Sequence, residues 1–391
     1  MEEIVILSAA RTAIGKFNGT LKDVPAPELG ATAIRAAVER AGAKPEDMQE
    51  CIMGNVLSAG IGQNPARQAA MKAGLRSDMG SLVVNDVCGS GLMAVIVGAN
   101  SIKAGEHEIV VAGGMESMDN APYLLKRARF GYNIGDGLLV DHMVHDGLWD
   151  YFNQIHMGMT AEYTAEKYHV SRADSDRMAY ESHMKAQQAT ISGKFKREIV
   201  PIKVHTRKGD IDYQVDEGIR PDTSVEALSK LKSVFKEDGV ATAGNASQLS
   251  DGAAALVVSS ARYADHNGMK PLARIVGYHT GGVDPKHIME APVPTTRALL
   301  KKLKLTIDDI DLFEHNEAFA TASVVVRKEL GVPEDRFNVN GGAVALGHPI
   351  GCSGARILTT LVYSMIDRNV HTGLATLCLG GGNAISMVVS R

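Results

Sequence analysis

Cysteine is scarce in this sequence, and the spacing of the cysteines argues against two kinds of site. Four cysteines, Cys51, Cys88, Cys352 and Cys378, are spread over 391 residues, and no two of them form a C-x-x-C pair. Single, widely spaced cysteines argue against a disulfide framework and against a zinc knuckle. They are typical of a reducing compartment, so we expect the protein to be cytoplasmic.

The sequence also lacks a strong charge and a long apolar run. Its formal net charge of −4 gives no overall attraction to nucleic acid or to an anionic membrane surface. No apolar run approaches the roughly 20 residues that span a bilayer. The opening "MEEIVILSAARTAIG" has neither the basic start nor the long apolar core of a signal peptide. We therefore expect no nucleic-acid partner and no membrane partner.

The sequence is rich in glycine and in short strands that alternate with helices. Its 40 glycines are concentrated in tight segments, which suit close backbone approaches. The alternation predicts a parallel or mixed sheet covered by helices. The predicted strands are 3–10, 50–57, 81–87, 108–114, 273–280, 336–344 and the start of 309–319, and the predicted helices are 27–42, 65–74, 295–305 and one after Cys88.

Two pairs of segments indicate an internal duplication. "CGSGLMAVIVGANSIKAGEHEIVVAGG" is similar to "CSGARILTTLVYSMIDRNVHTGLATLCLGGG", and "KPEDMQECIMGN" is similar to "TIDDIDLFEHN". Because both matches occur in the same order, a duplicated half is favoured over chance similarity. We predict an N-terminal half at 1–118 that continues into 251–270, a loop insertion at 119–250 and a C-terminal half at 271–391.

The insertion differs in character from the two halves. It is more polar, its periodicity is weaker, and it contains a predicted helix with Ser171 as N-cap and Gly193 as the stop. Long insertions in a regular α/β frame usually form substrate or oligomer surfaces, although a tolerated surface excursion is the alternative.

Cys88 stands between a predicted strand and a helix, in "VVNDVCGSGLMAV". A cysteine at a helix N-terminus meets unpaired N–H groups and the positive end of the helix dipole, which favour a thiolate. Gly89 and Gly91 would leave room for an incoming carbonyl carbon. This motif by itself leaves two alternatives open, a nucleophile and a buried, inert cysteine.

Three further residues are candidates for chemistry. Cys378 precedes Gly380 to Gly382, whose N–H groups would suit an oxyanion hole. Pro349 restrains His348 to an extended conformation, and a histidine fixed in a glycine-rich loop suits a base or an oxyanion donor; a metal pair with Cys352 is the weaker alternative. Asn316 would either cap a helix or hold a water or substrate oxygen.

These segments together resemble those of the thiolases, in the branch that acts on acetoacetyl-CoA. The resemblance is carried, in order, by "VILSAARTAIGKF", "NDVCGSGLMAV", "VAGGMESM", "HMGMTAE", "DGVATAGNAS", "NEAFA", "NVNGGAVALGHPIGCSGAR" and "CLGGGNA". It implies an α/β fold in which two duplicated βαβαβαββ-type halves form a five-layered αβαβα arrangement with a loop domain. It also implies a homotetramer, a dimer of dimers whose inter-dimer contacts come from about 119–145.

The resemblance implies a reversible Claisen condensation of two acetyl-CoA to acetoacetyl-CoA and CoA, as in fatty acid metabolism, through an acyl enzyme on Cys88. His348 would take the proton of Cys88, and Cys378 would act as acid and base. One oxyanion hole would combine His348 with a water held by Asn316, and the other would use the N–H groups of Cys88 and Gly380. No metal or other cofactor is implied, because coenzyme A is a substrate and product.

The resemblance also implies which residues bind coenzyme A. Ser247 would meet the pantetheine arm and Arg220 the adenine nucleotide end, although an exposed surface charge is the alternative for Arg220. The implied tunnel residues are Ala243, Leu148, His156, Met157, Ala318 and Phe319.

Some residues depart from the thiolase pattern. Glu290 and Ala291, in "HIMEAPVP", replace small residues beside the acyl pocket; Gln248 and His315 are also atypical. Chain length is therefore less certain than reaction type. The alternatives are a degradative 3-ketoacyl-CoA thiolase, a carrier-protein-dependent ketoacyl synthase and a non-catalytic homologue. The ketoacyl synthase is disfavoured because it uses two histidines where this chain has His348 and Cys378.

Overall fold

The main feature of the fold is a long mixed sheet that carries helices on both faces. The structure is a computed structural model that describes residues 2–206 and 209–391. The described strands are β1 Ile4–Thr12, β2 Gly15–Lys16, β3 Glu50–Gly54, β4 Gly80–Val84, β5 Ile109–Ser117, β6 Tyr123–Leu125, β7 Leu139–Asp141, β8 Trp149–Asp150, β9 Ile155–His156, β10 Ile199–Val200, β11 Ile202–Thr206, β12 Gly209–Tyr213, β13 Ser250–Ser260, β14 Ala273–Gly282, β15 Leu312–His315, β16 Thr372–Leu379 and β17 Asn383–Ser390. The described helices are α1 Ala26–Arg40, α2 Pro65–Lys72, α3 Ser90–Ala104, α4 Met157–Tyr168, α5 Arg172–Ile191, α6 Val225–Ser229, α7 Ala261–His266, α8 Pro292–Leu303, α9 Ala320–Leu330, α10 Ala343–Leu346 and α11 Ser353–Arg368.

The order of the strands confirms the duplication. The large sheet runs β4-β3-β5-β13-β1 and then β14-β17-β16-β15. The two parts meet where Val5 and Ile6 of β1 pair with β14. Outside β15, Phe337 makes an isolated parallel bridge to Phe313, in the position that β4 holds beside β3. Each half therefore has the same strand order, read inwards from its outer edge.

The helices complete five layers. α1 and α2 pack on one outer face, against β13, β5, β3 and β4, and α8 packs on the other, against β14 and β17, with α9 beside it. Between the two sheet halves, α3 and α11 pack against each other. Three buried apolar clusters fill the spaces between these layers. The αβαβα arrangement predicted from the resemblance is confirmed.

One helical stretch, Val87–Ala104, is long and apolar enough to count as a candidate membrane span by composition. It includes α3, in the middle layer, and 56% of it is buried inside the structure. Apolar residues all round a helix are expected at the centre of a large protein as well as in a membrane. The packing of α3 against α11 and the sheet accounts for its composition.

The connection from β5 to β13 carries the smaller elements β6 to β12 and α4 to α6. Its helix α5 begins where the sequence predicts, because the Ser171 Oγ accepts the N–H of Asp174 and the Asp174 carboxylate accepts the N–H of Ser171. Gly193 follows the helix with a φ of +72°, which suits glycine. The domain boundaries predicted for this connection stay a prediction.

One predicted strand is wrong. The segment 336–344 forms only the single bridge at Phe337. Asn338 has a φ of +43°, outside the extended region, and its side chain replaces the ladder: Oδ1 accepts the N–H of His315 at 2.8 Å and Nδ2 donates to the carbonyl of His315 at 3.0 Å. The alternating apolar residues predicted a strand here, but the hydrogen bonds to His315 come from the Asn338 side chain and not from a strand backbone.

Candidate active site

Cys88 lies in a tight turn between β4 and α3. Val87, just before it, has a φ of +47°, a conformation that β-branched residues rarely adopt and that is found where a functional site stores strain. The Ser90 Oγ donates to the carbonyl of Val87 at 2.6 Å and accepts the N–H of Asp86 at 2.9 Å. These two bonds hold the turn that presents the Cys88 thiol.

Burial changes the expected charge of this thiol. Desolvation raises the pKa of Cys88 well above its usual range, and Cys378 nearby raises it further, whereas the Gly380 N–H, which donates to the thiol, lowers it. The helix N-terminus by itself favours a thiolate, but burial is the largest of the effects on this pKa. The resting group is a neutral thiol, and it needs a base when it attacks.

His348 supplies a base in the correct tautomer. Its Nε2 lies 3.3 Å from the Cys88 Sγ, and its Nδ1 lies 2.5 Å from the Ser353 Oγ. Since the Ser353 hydroxyl donates to the carbonyl of Pro349 at 2.9 Å, its oxygen accepts the Nδ1–H. Nε2 is then the unprotonated nitrogen that faces the thiol. Burial lowers the pKa of His348 to about 3, which keeps the resting imidazole neutral.

The partners of His348 also bear on the metal pair with Cys352. Both ring nitrogens face Cys88 or Ser353, which leaves neither for a metal shared with Cys352. In the ranges that the structure describes, no group of three or more His, Cys, Asp and Glu side chains could hold a metal ion. Ser353 is a site residue that sequence reasoning missed; its position five residues after a histidine in a glycine-rich loop was the only available signal.

Asn316 does not cap a helix. The next helix, α9, begins at Ala320 with Phe319 at its N-cap position. The Asn316 Nδ2 lies 3.4 Å from the His348 Nδ1, but two N–H groups cannot hydrogen-bond to each other, and the Nδ1–H is directed at Ser353. Its Oδ1 is buried and has no hydrogen-bond partner among the described residues. A buried, unsatisfied amide oxygen is costly unless a ligand or water uses it, so the second alternative for Asn316, a polar contact for substrate or water, is favoured.

Cys378 lies near the end of β16, just before the turn to β17. Burial raises the pKa of Cys378 to about 12. The turn needs glycine: Gly381 and Gly382 have φ values of +83° and +90°, and a Cβ on Gly382 would lie 2.5 Å from the carbonyl oxygen of Val283. The run of glycines therefore lets the turn pack closely on the segment that follows β14 and aims the Gly380 N–H at Cys88.

Cys88, His348, Cys378 and Gly380 all line one cavity of about 400 Å³. It also contains most of the binding residues predicted from the resemblance: Leu148, His156, Met157, Ala243, Ser247, Ala318 and Phe319. Its wall is mainly apolar. Additional lining residues that the sequence analysis did not single out are Met143, Val234, Phe235, Ile288 and Met289.

Arg220 lies outside the lining of this cavity. Its guanidinium Nη1 is 3.5 Å from the carbonyl of Ala243, which does line the cavity, and its backbone N–H donates to the His183 Nδ1. His156 stacks on Phe235 with ring centroids 4.7 Å apart, and its Nδ1 accepts the N–H of Gly158 at 3.0 Å. The neutral His156 ring therefore keeps its Nε2–H as a donor beside the cavity.

Gln248, one of the atypical residues, positions the histidine loop. Its backbone carbonyl accepts the N–H of His348 at 3.1 Å, and its side-chain amide donates to the carbonyl of Gly218 at 2.7 Å. His315, another atypical residue, faces away from this chemistry: its Nδ1 lies 3.0 Å from the Ser323 Oγ and its ring stacks on Phe337.

Comparisons with known proteins extend over the whole chain. Residues 4–262 match the family model described as "Thiolase, N-terminal domain", and 269–391 match "Thiolase, C-terminal domain". The chain is 51% identical to an acetyl-CoA acetyltransferase of Cupriavidus necator and 50% identical to a probable acetyl-CoA acyltransferase of Staphylococcus aureus, over all of this chain and all of each relative. The crystal structure of the acetyl-CoA acetyltransferase of Bacillus anthracis is similar with a TM-score of 0.98, at 41% identity, over 100% of this chain and 99% of that one.

Proposed function

The chain belongs to the thiolase family, and from this premise we propose that it is an acyltransferase that condenses two acetyl-CoA to acetoacetyl-CoA and CoA, reversibly, through an acetyl group on Cys88. Full-length relatives named acetyl-CoA acetyltransferase support the substrate. The observation that carries the proposal is the 3.3 Å contact between the His348 Nε2 and the Cys88 Sγ in a cavity that Cys378 also lines.

In the first half-reaction, the Cys88 Sγ attacks the thioester carbonyl while its proton passes to the His348 Nε2. The oxyanion is stabilised by the N–H groups of Cys88 and Gly380. When the carbon–sulfur bond of acetyl-CoA breaks, the Cys378 thiol gives its proton to the leaving CoA thiolate. The products are acetyl-Cys88, a Cys378 thiolate beside imidazolium and free CoA, so atoms and charge balance.

In the second half-reaction, the Cys378 thiolate takes an α-proton from the second acetyl-CoA. The enolate oxygen is stabilised by His348, now protonated, together with a water or direct contact at the Asn316 amide. The enolate carbon attacks the acetyl group, and the bond from that group to the Cys88 Sγ breaks. Cys88 recovers its proton from His348, which restores the resting state and releases acetoacetyl-CoA.

Coenzyme A would occupy the cavity from its mouth to the two cysteines. We assign the pantetheine arm to Ser247, Ala243 and Leu148, with His156, Met157, Ala318 and Phe319 nearer the acyl group. Arg220, beside Ala243, is assigned to the nucleotide end. No metal or resident cofactor enters any step, because proton transfer and the acyl enzyme account for the chemistry.

We also propose that the protein acts in the cytoplasm, in fatty acid metabolism, as a homotetramer. The support for assembly is the exposed apolar surface on the connection between β6 and β7. Phe130, Ile134 and Leu138 on this one connection are 81%, 98% and 75% exposed, and large exposed apolar side chains grouped on one segment are expected at an interaction site. Size-exclusion chromatography with light scattering tests the mass of the assembly.

The test of the reaction separates its two halves. Protein is incubated with labelled acetyl-CoA and the Cys88 peptide is examined by mass spectrometry, after which a second portion of acetyl-CoA is added and acetoacetyl-CoA is measured. We expect Cys88→Ala to abolish labelling. Cys378→Ala should still acquire some acetyl group, because CoA can leave with a proton from solvent, but it should form no acetoacetyl-CoA. Normal labelling of Cys88→Ala would remove the nucleophile assignment.

A further inference from the structure

Glu116, near the end of β5, is a buried carboxylate that the proposed reaction does not use. It is 0% exposed and lies outside the lining of the cavity. Its two oxygens accept four hydrogen bonds, from the Asn55 Nδ2 at 2.7 Å, the Val56 N–H at 3.1 Å, the Leu57 N–H at 3.1 Å and the Gly351 N–H at 2.8 Å. Because all four partners are donors, the side chain binds them as a carboxylate.

The four donors belong to two segments that are far apart in the sequence. Three of them, at 55–57, follow β3 of the first half. The fourth, Gly351, lies in the short turn Ile350–Cys352, between His348 and the start of α11 in the second half. A single carboxylate therefore joins the loop that carries the catalytic histidine to the half of the molecule that carries Cys88.

The turn at Gly351 lies unusually close to the first half. A Cβ on Gly114 of β5 would collide with the carbonyl oxygen of Gly351, and a Cβ on Gly54 of β3 would lie 2.7 Å from the same oxygen. A Cβ on Gly351 would itself lie 2.8 Å from the Glu116 Oε2. Glycine at these positions permits a close approach of backbones, and the hydrogen bonds of Glu116 hold the turn there.

We infer that Glu116 is a positioning residue that sets the distance between His348 and Cys88. The inference rests on the proposed function, because it assigns Glu116 a part in the acetylation of Cys88. The turn at Gly351 separates His348 from Ser353, whose Oγ accepts the Nδ1–H of the histidine. A displacement of Gly351 therefore moves both residues, and with them the Nε2 that lies 3.3 Å from the Cys88 Sγ.

Two substitutions remove the acceptors of Glu116 in steps. Glu116→Met keeps an unbranched side chain of similar length but leaves four buried donors without an acceptor, a situation that a protein relieves by moving the donors towards other partners. Glu116→Gln keeps one accepting oxygen and should keep part of the activity. A displacement of reacting groups by about 1 Å slows a reaction by on the order of 100-fold.

The experiment measures single-turnover acetylation of Cys88 by labelled acetyl-CoA at pH 8, since burial raises the pKa of Glu116 to about 7 and the carboxylate is ionised at that pH. We expect Glu116→Met to lower the rate constant at saturating acetyl-CoA by on the order of 100-fold, with the half-saturating concentration within about threefold of the wild type. The concentration should not change because Glu116 lies outside the cavity lining. Glu116→Gln should fall between Glu116→Met and the wild type.

Asp311→Leu is the matched control. The Asp311 carboxylate also accepts two backbone N–H groups, from His371 at 2.9 Å and Thr372 at 2.8 Å, and it lies outside the cavity lining. Its replacement by leucine removes an acceptor in the same way, so it should lower the thermal midpoint and leave the acetylation rate constant within about threefold of the wild type.

Alkylation of Cys88 by iodoacetamide without any CoA compound separates this inference from the proposed function. It should also be slower in Glu116→Met, because the same histidine must take the thiol proton. If the wild type is alkylated faster than Glu116→Met but is not acetylated by acetyl-CoA, the proposed function fails and the positioning role of Glu116 stands.

Three outcomes would overturn the inference: a rate constant for Glu116→Met within threefold of the wild type, an equal loss in Asp311→Leu, or a loss confined to the half-saturating concentration. Thermal unfolding followed by circular dichroism checks that each variant is folded. If Glu116→Met does not fold, the comparison of Glu116→Gln with the wild type decides, and a rate constant within threefold of the wild type would again overturn the inference.

Discussion

At the scale of single residues, the three catalytic side chains Cys88, His348 and Cys378 are neutral before substrate binds. Burial raises the pKa of both cysteines and lowers that of His348. Each group is therefore in the protonation state that costs least in an apolar cavity, and charge appears only as a proton moves. The sequence predicted these three residues, but it could not predict how strongly burial raises the pKa of Cys88, because a one-dimensional pattern shows the helix N-terminus and not the depth of burial.

His315 gives a prediction about acid stability. Burial lowers its pKa to about 3, whereas an unfolded histidine has a pKa of about 6.5. Below pH 6.5 the unfolded chain therefore binds a proton at His315 that the folded chain does not, and the free energy of unfolding falls as the pH falls. Between pH 8 and pH 5 protonation of His315 in the unfolded chain should lower the free energy of unfolding of the wild type by about 2 kcal/mol. His315→Ala should not show this decrease.

The measurement is chemical denaturation of the wild type and His315→Ala at pH 8 and pH 5. The difference in free energy of unfolding between them should shift by about 2 kcal/mol in favour of the variant at the lower pH. His266→Ala, which removes an exposed histidine of α7, serves as the control and should follow the wild type. A pH-independent difference for His315→Ala would contradict the assignment of a neutral, buried ring.

At the scale of elements, the sequence predicted the helices and strands that have strong periodicity and clear ends. α5 is an example, since Ser171 and Gly193 mark its boundaries both in the sequence and in the structure. The failure at 336–344 has a specific cause. Apolar alternation cannot reveal that the Asn338 side chain bonds to both backbone groups of His315, because that contact joins residues 23 positions apart.

Asn338 should be important for stability for the same reason. We expect Asn338→Gly to lower the free energy of unfolding by about 2 kcal/mol, because the backbone groups of buried His315 lose their partners. Asn338→Ala should cost about 1 kcal/mol more, since alanine is strained at a φ of +43° and glycine is not. Denaturant titration of both variants tests this order. Equal decreases in the free energy of unfolding for the two variants would show that backbone strain at this position does not affect stability.

At the scale of the whole molecule, the duplication brings the two halves of the chemistry together. Cys88 precedes α3 of the first half, the loop with His348 precedes α11 of the second, and Ser353 is the first residue of α11. Because α3 and α11 pack against each other in the middle layer, their N-terminal ends converge. The sequence predicted the repeat from the two pairs of similar segments. It could not predict the distance at which α3 and α11 pack, because that distance depends on contacts between residues far apart in the sequence.

Two glycines determine how closely these helices approach. A Cβ on Gly354 would lie 2.5 Å from the Leu92 backbone nitrogen, and one on Gly91 would lie 2.8 Å from the Ala355 nitrogen. Real Cβ atoms do not approach so closely, so a side chain at Gly354 must push α11 away from α3. The 3.3 Å contact between Cys88 and His348 depends on that approach.

We therefore expect Gly354→Ala to slow acetylation of Cys88 by on the order of 100-fold, the scale expected when reacting groups are displaced by about 1 Å, and to lower the thermal midpoint. Gly80→Ala at the start of β4 is the matched control, because its added Cβ would meet only the Glu50 side chain at 3.9 Å, an ordinary contact. Acetylation is followed by mass spectrometry on the folded fraction. If Gly354→Ala acetylates Cys88 within threefold of the wild-type rate, the catalytic pair does not depend on the close crossing of α3 and α11.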